Sequence, residues 1–355
     1  MIRRYATTLT VIVALLGTPV PTAVPKAHAR AVTAWLPYWE PTAYADALAH
    51  AGQLRTVNPF WYETTAADRV TAHEGAGDRA VIDGLHRAGI EVVPTVTETL
   101  GAAAMAGLTG DARARATHVE TLVRLATGLP YDGLDLDYEQ MNEPGADPAL
   151  VRRVRDGFTT LVGEVCARLH GLRKQCTAAV FPRSDTPGHD QGPVFDYARL
   201  GRVLDRLRIM GYNLHNALDA PGPLSSPAWY DEILRYATAR VPAARIEMGI
   251  PAYGWDHRTG DPGRATHRTT REAEELRRRV GAPYALDPAS ATPHFTYAED
   301  GGARREVWYQ DARGIAAHLP VLRRYGVEGT ALWALGFEDA ELWPVLGGAA
   351  PGRAP

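Results

Sequence analysis

Cysteine is almost absent: Cys166 and Cys176 are the only two. The chain is therefore not held by a disulfide framework. Neither cysteine has the histidine-rich surroundings of a zinc ligand or an activated nucleophile. Two readings of the pair stay open. An exported protein permits a Cys166–Cys176 bridge, which would close only a short loop, and the alternative is two buried thiols. A glycine-rich phosphate turn after an early strand is also missing, which removes the support for a doubly wound nucleotide-binding sheet. No short repeat marks a solenoid. Positive charge is not in excess, with 38 Lys+Arg against 41 Asp+Glu. That balance argues against nucleic acid and anionic membranes as partners.

What is present is ordinary globular composition, 45% hydrophobic and 22% charged, enough for one large or two modest domains. At the N-terminus Arg3 and Arg4 precede an uncharged, mostly apolar run from Ala6 to Gly17, and Ala27-His28-Ala29 offers a small-x-small cleavage site. This is the layout of a secretory signal peptide over residues 1–29. The apolar run is too short to span a bilayer. A secreted, extracellular protein with no membrane attachment after cleavage is expected. Cleavage would remove three basic residues and no acid, taking the net charge from −3 to −6. Residues 347–355 are rich in Gly, Ala and Pro and are expected to form a flexible tail. The folded body is then 30–346.

Within that body, short apolar runs alternate with helical spacing. Strands are predicted over 32–36, 55–63, 90–97, 131–139, 175–182, 206–213, 246–253 and 329–336. Helices are predicted over 44–54, 80–88, 112–126, 151–169, 230–240 and 313–325. Eight strands alternating with helices over some 300 residues predict an α/β fold, a (β/α)8 TIM barrel. About 75 residues separate the last two strands, more than one helix and its connections need. Within them, Pro293–Tyr297 and Arg305–Tyr309 read as a hairpin. An inserted flap over about 254–312 is expected, either functional or a plain surface excursion.

The fourth predicted strand is the unusual one. Tyr131-Asp132-Gly133-Leu134-Asp135-Leu136-Asp137-Tyr138-Glu139 holds four carboxylates in nine residues. Strand side chains alternate, so Leu134, Leu136 and Tyr138 share one face while Asp135, Asp137 and Glu139 share the other. Such a row is costly for stability, and it is how enzymes separate carboxyl pKa values. In a barrel, the C-terminal strand ends build the site. That rule selects Glu139 and a rim of aromatics: Tyr38, Trp61, Tyr62, Tyr212, Tyr253 and Trp333. Aromatic faces beside hydrogen-bonding acids suit a sugar. Residues two apart on a strand are separated by roughly 6.6 Å on one side. Asp137 and Glu139 therefore cannot easily flank a glycosidic bond from opposite faces.

The pattern Asp132-Gly133-x-Asp135-x-Asp137-x-Glu139 resembles the signature of family 18 glycoside hydrolases, the chitinase family. Met210-Gly211-Tyr212-Asn213 is similar to that family's Met-x-Tyr-Asp motif, with Asn213 departing from the commoner Asp. Gly249–Gly254 and the pair Trp308–Ala312 and Gly329–Trp333 resemble its later motifs, over about residues 31–345 in all. The resemblance implies a retaining, substrate-assisted glycosidase acting on β-1,4-linked N-acetylglucosamine polymers, chitin or peptidoglycan. It implies Glu139 as general acid and base, Asp137 as the group that orients the acetamido N–H, Asp135 as its proton-sharing partner and Tyr212 as a donor to the acetamido carbonyl. Tyr38, Trp61, Met210, Asn213, Tyr253 and Trp333 are the expected substrate-binding residues. No cofactor and no metal is expected, His215 and Glu98 reading as solvated loop residues, and a monomer is expected. The competing readings are a non-catalytic carbohydrate-binding protein on the same barrel and a metal-dependent phosphoesterase.

Overall fold

A computed structural model describes residues 32–260, 263, 265–299 and 302–347. The expected signal peptide and the expected tail from 348 onward lie outside the described residues. In chain order the strands are β1 (Val32–Pro37), β2 (Leu54–Ala66), β3 (Arg69–Ala72), β4 (Glu91–Val92), β5 (Thr95–Glu98), β6 (Gly133–Asp137), β7 (Gln175–Val180), β8 (Arg206–Ile209), β9 (Ile246–Pro251), β10 (Tyr253–Arg258), β11 (Thr266–Thr269), β12 (His294–Ala298), β13 (Arg304–Tyr309) and β14 (Gly329–Trp333). The α-helices are α1 (Ala43–Ala49), α2 (Arg79–Arg87), α3 (Gly101–Gly110), α4 (Ala112–Gly128), α5 (Pro148–Gly171), α6 (Tyr197–Val203), α7 (Pro227–Thr238), α8 (Thr270–Arg279), α9 (Ala312–Arg324) and α10 (Leu342–Leu346).

Eight parallel strands close on themselves in the order β1-β14-β9-β8-β7-β6-β5-β2, with β2 pairing back to β1. This is a (β/α)8 barrel. The predicted third strand is broken into β4 and β5 around Pro94, which has no N–H for the ladder. A second, four-stranded antiparallel sheet, β11-β10-β13-β12, lies between β9 and β14 in the chain. It has its own small core of Ala273, Leu276, Phe295, Val307 and Tyr309.

Helix boundaries follow their caps. The helix predicted from 151 begins at Pro148, because Asp147 accepts from the amides of Ala149 and Leu150 and Pro148 suits the first turn. The sequence reading missed α3. Its Gly- and Ala-rich run has no polar face to give it a period. Small residues let it approach α5 closely: a Cβ on Gly157 would collide with the Thr109 hydroxyl. Cys166 on α5 and Cys176 on β7 form a disulfide.

The inside of the barrel is partly ionic. Arg208, Asp135 and Glu247 are each at most 1% exposed. Arg208 donates to Asp135 at 2.5 Å and Thr177 at 2.9 Å through Nη1, and to Glu247 at 2.7 Å through Nε. Arg55 donates to the other Glu247 oxygen. Charges this deep persist only when paired and fully hydrogen-bonded.

Candidate active site

The acid row leaves the barrel along β6. Gly133 opens the strand where a Cβ would clash with the Gln175 carbonyl, so β6 and β7 can lie together only with glycine there. Regular pairing ends at Asp137, and Glu139 lies two residues beyond the strand. The outward face is pinned through Tyr138, whose hydroxyl is 2.8 Å from the Thr64 hydroxyl and 2.6 Å from His118 Nε2.

The three inward acids have different surroundings. Asp135 accepts from Arg208, from Thr177 at 2.8 Å and from Thr95 at 3.0 Å. The guanidinium and Thr177 share Oδ1, and Thr95 alone donates to Oδ2. Asp137 is 3% exposed, and its Oδ1 has no hydrogen-bond partner among the described residues. Burial, then the charges of Glu139 and Asp135, hold its carboxyl well above the usual range, against the opposing pull of Arg208. Glu139 is partly exposed. Burial, then the charge of Glu98, pushes its carboxyl up to about 7.

These acids open into a cleft of about 950 Å³ at the C-terminal end of the barrel. Of the expected residues, Asp137, Glu139, Met210, Tyr212, Asn213, Tyr253 and Trp333 all line it. Trp333 ends β14, and its ring packs against Trp35, Phe60 and Trp39 at centroid distances of 5.7, 5.3 and 6.3 Å. The Asn213 side-chain oxygen accepts from the Tyr253 hydroxyl at 2.7 Å and from Trp255 Nε1 at 3.1 Å. Tyr212 and Tyr253 meet edge to face at 6.0 Å. The Tyr212 hydroxyl makes no hydrogen bond among the described residues.

Two expected residues lie elsewhere. Trp61 is 3% exposed and packs against Tyr131 in the core. The register shifts between Phe60 and Tyr62, so Trp61 is the extra residue of a bulge. Phe60 is the aromatic that borders the site, lining a side cavity of about 330 Å³ beside Asp137 and Glu139. Tyr38 is 39% exposed and stacks on His73 at 4.5 Å, outside the cavity walls. Its neighbour Trp39, 48% exposed, packs at 5.6 Å on Phe60.

Sequence reasoning missed Trp35, Trp255 and Glu98. Trp35 is 1% exposed and lines the cleft, with its Nε1 unpartnered. Glu98, read as a solvated loop residue, is 2% exposed and forms part of the side cavity. No group of three or more His, Cys, Asp or Glu among the described residues is arranged to hold a metal.

Residues 103–338 match the glycosyl hydrolases family 18. The chain belongs to that family. Family 18 likeness extends to an uncharacterized glycosylase of Bacillus subtilis, 25% identical over 66% of this chain and 65% of that one. A cortical fragment-lytic enzyme of Bacillus anthracis is 28% identical over 45% of this chain and 39% of its own. The chain thus spans less than two thirds of the length of these family 18 relatives. Among solved structures, a chitinase from Chromobacterium violaceum superposes with a TM-score of 0.79 at 27% identity, covering 90% of this chain and 98% of that one.

Proposed function

We propose that this chain is an exported family 18 glycosidase that cleaves β-1,4-linked N-acetylglucosamine polymers with retention, using the substrate's own acetamido group as nucleophile. The observation that carries this is the set of unsatisfied groups in the cleft. Among the described residues, Asp137 Oδ1 is a buried acceptor and Trp35 Nε1 a buried donor without a partner, and the Tyr212 hydroxyl is a second donor in the wall of the same cleft. Buried polar groups are normally satisfied. An acetamide supplies one N–H and one carbonyl oxygen, so it satisfies Asp137 through its N–H and one of the two donors through its oxygen.

The reaction follows from that placement. Glu139, carrying its proton, donates it to the glycosidic oxygen. The C–O bond breaks as the acetamido oxygen bonds to the anomeric carbon. Asp137, as a carboxylate, holds the acetamido N–H and stabilises the positive charge of the bicyclic ion. Glu139, now a carboxylate, deprotonates the water that reopens the ring. The sequence needs one proton between Asp137 and Glu139 at rest, with Asp137 as the carboxylate.

Among the described residues, the linings of the cleft and side cavity include carboxylates and no Lys or Arg. This supports an uncharged glycan, chitin or its oligomers, over peptidoglycan bearing anionic stem peptides. The test is digestion of chitooligosaccharides and purified peptidoglycan side by side, with products identified by mass spectrometry. Cleavage by the wild type and loss on Glu139→Gln is expected. Binding without cleavage by the wild type would make the chain a lectin-like barrel, and muropeptide release with intact chitin would reverse the substrate assignment.

A further inference from the structure

Glu98 ends β5 and is nearly fully buried, yet it forms no ion pair among the described residues. Its Oε2 accepts from the backbone amides of Leu100 at 2.5 Å and Gly101 at 3.2 Å, at the start of α3. Its Oε1 accepts from the amide of Met141 at 2.6 Å. Both oxygens thus face N–H donors, which is how a carboxylate is bound, and a carboxylic acid would set its own hydrogen against one of them. Capping α3 accounts for the first two amides. It does not account for the third, which comes from a different loop, two residues beyond Glu139. Nor does it account for the position of the charge. Glu98 shares the wall of the 330 Å³ side cavity with Glu63, Asp137 and Glu139, and no Lys or Arg among the described residues lines that cavity. The three amides satisfy its hydrogen bonds, but no cation balances its charge in that wall.

We propose that Glu98 is a positioning residue for Glu139: its carboxylate ties the start of α3 to the loop that carries Glu139 and sets a fixed negative charge beside the acid. The inference rests on the glycosidase reading of Glu139. The ionisable groups that line the two cavities with Glu139 are Asp137 from β6, Glu98 from β5, Glu63 from β2, Tyr212 beyond β8 and Tyr253 from β10, with Glu143, Asp190 and His267 also in the cleft wall. Of those in the side cavity, only Glu98 is both anchored by backbone amides and outside the row that handles the substrate. Its charge keeps the acid's proton on Glu139 at a pH where an ordinary glutamic acid has lost it, and the Met141 bond holds the side chain's anchor still.

The experiment compares the pH dependence of chitooligosaccharide kcat/KM for wild type, Glu98→Gln and Glu63→Gln, alongside a carbon-13 carboxyl titration that follows Glu139 in each. Glu98→Gln keeps size and one acceptor but loses the charge. Its basic limb and the Glu139 titration are expected to move to lower pH by about one unit, whereas Glu63→Gln moves them less. A uniform loss of kcat at every pH with an unmoved limb and titration would reduce Glu98 to a helix cap and overturn the proposal. An equal shift in Glu63→Gln would overturn it as well. Wild-type protein that cleaves no chitooligosaccharide would fail the glycosidase reading instead, and the Glu139 titration would still decide the role of Glu98.

Discussion

Arg208 Nη1 donates to Asp135 Oδ1 at 2.5 Å, and the same guanidinium holds Glu247 at 2.7 Å through Nε. The innermost acid of the row thereby has a fixed cationic partner, which Asp137 and Glu139 lack among the described residues. Removing one partner of a buried ionic group strands the others. Arg208→Met is expected to cost about 3–5 kcal/mol in urea unfolding. Thr177→Val, which removes one neutral hydroxyl from the same group, is expected to cost about 1 kcal/mol.

The bulge in β2 separates two aromatic roles that look alike in the sequence. Trp61→Ala opens a core cavity beside Tyr131 and is expected to cost about 3–5 kcal/mol of stability. Its effect on KM should be small. Trp333→Ala removes a wall of the cleft and is expected to lower kcat/KM roughly 10- to 100-fold with a much smaller loss of stability. Thermal melts and steady-state kinetics on the two variants check the contrast.

Much of this was legible in the residues alone, for a physical reason. A barrel strand alternates buried positions against helices of period 3.6, and both periods survive in the text of the chain. The acid row on β6 was legible because three carboxylates on one strand face have no structural excuse. What was not legible depends on neighbours. Trp61 and Phe60 exchange places through one extra residue that only the β2–β5 register reveals. Glu98 reads as a polar loop residue until the amides of Leu100, Gly101 and Met141 are seen to converge on it. Arg208 and Glu247 had a faint signal, charges alternating with apolar residues in Arg206-Leu207-Arg208-Ile209 and Ile246-Glu247-Met248. α3 had none.

The pH dependence carries a definite sign. Glu139 must hold its proton to act as an acid, and its carboxyl is pushed up to about 7. The kcat/KM of the wild type is therefore expected to fall as pH rises through that value. Asn213→Asp keeps an acceptor for Tyr253 and Trp255 and adds a negative charge to the cleft. It is expected to move the basic limb upward by about half a unit. A limb that moves downward would contradict the electrostatic account.

The same raised carboxyl destabilises the fold in base. A group whose pKa rises from 4.5 to about 7 on folding binds its proton more tightly in the native state, so stability falls as pH rises across that window. Glu139→Gln removes the share of the loss that Glu139 contributes and leaves that of Asp137. The variant is expected to melt about 2–4 °C above wild type at pH 8 and to melt with wild type at pH 4. Calorimetry at the two pH values checks this.

The most direct measurement of the central claim uses partially deacetylated chitin, in which some sugars have lost the acetamido group. Digestion followed by sequencing of the products shows which sugar stands at each new reducing end. If the acetamido oxygen is the nucleophile, every new reducing end is N-acetylglucosamine, whatever the composition of the polymer. Glucosamine at those ends in proportion to its abundance would contradict the account.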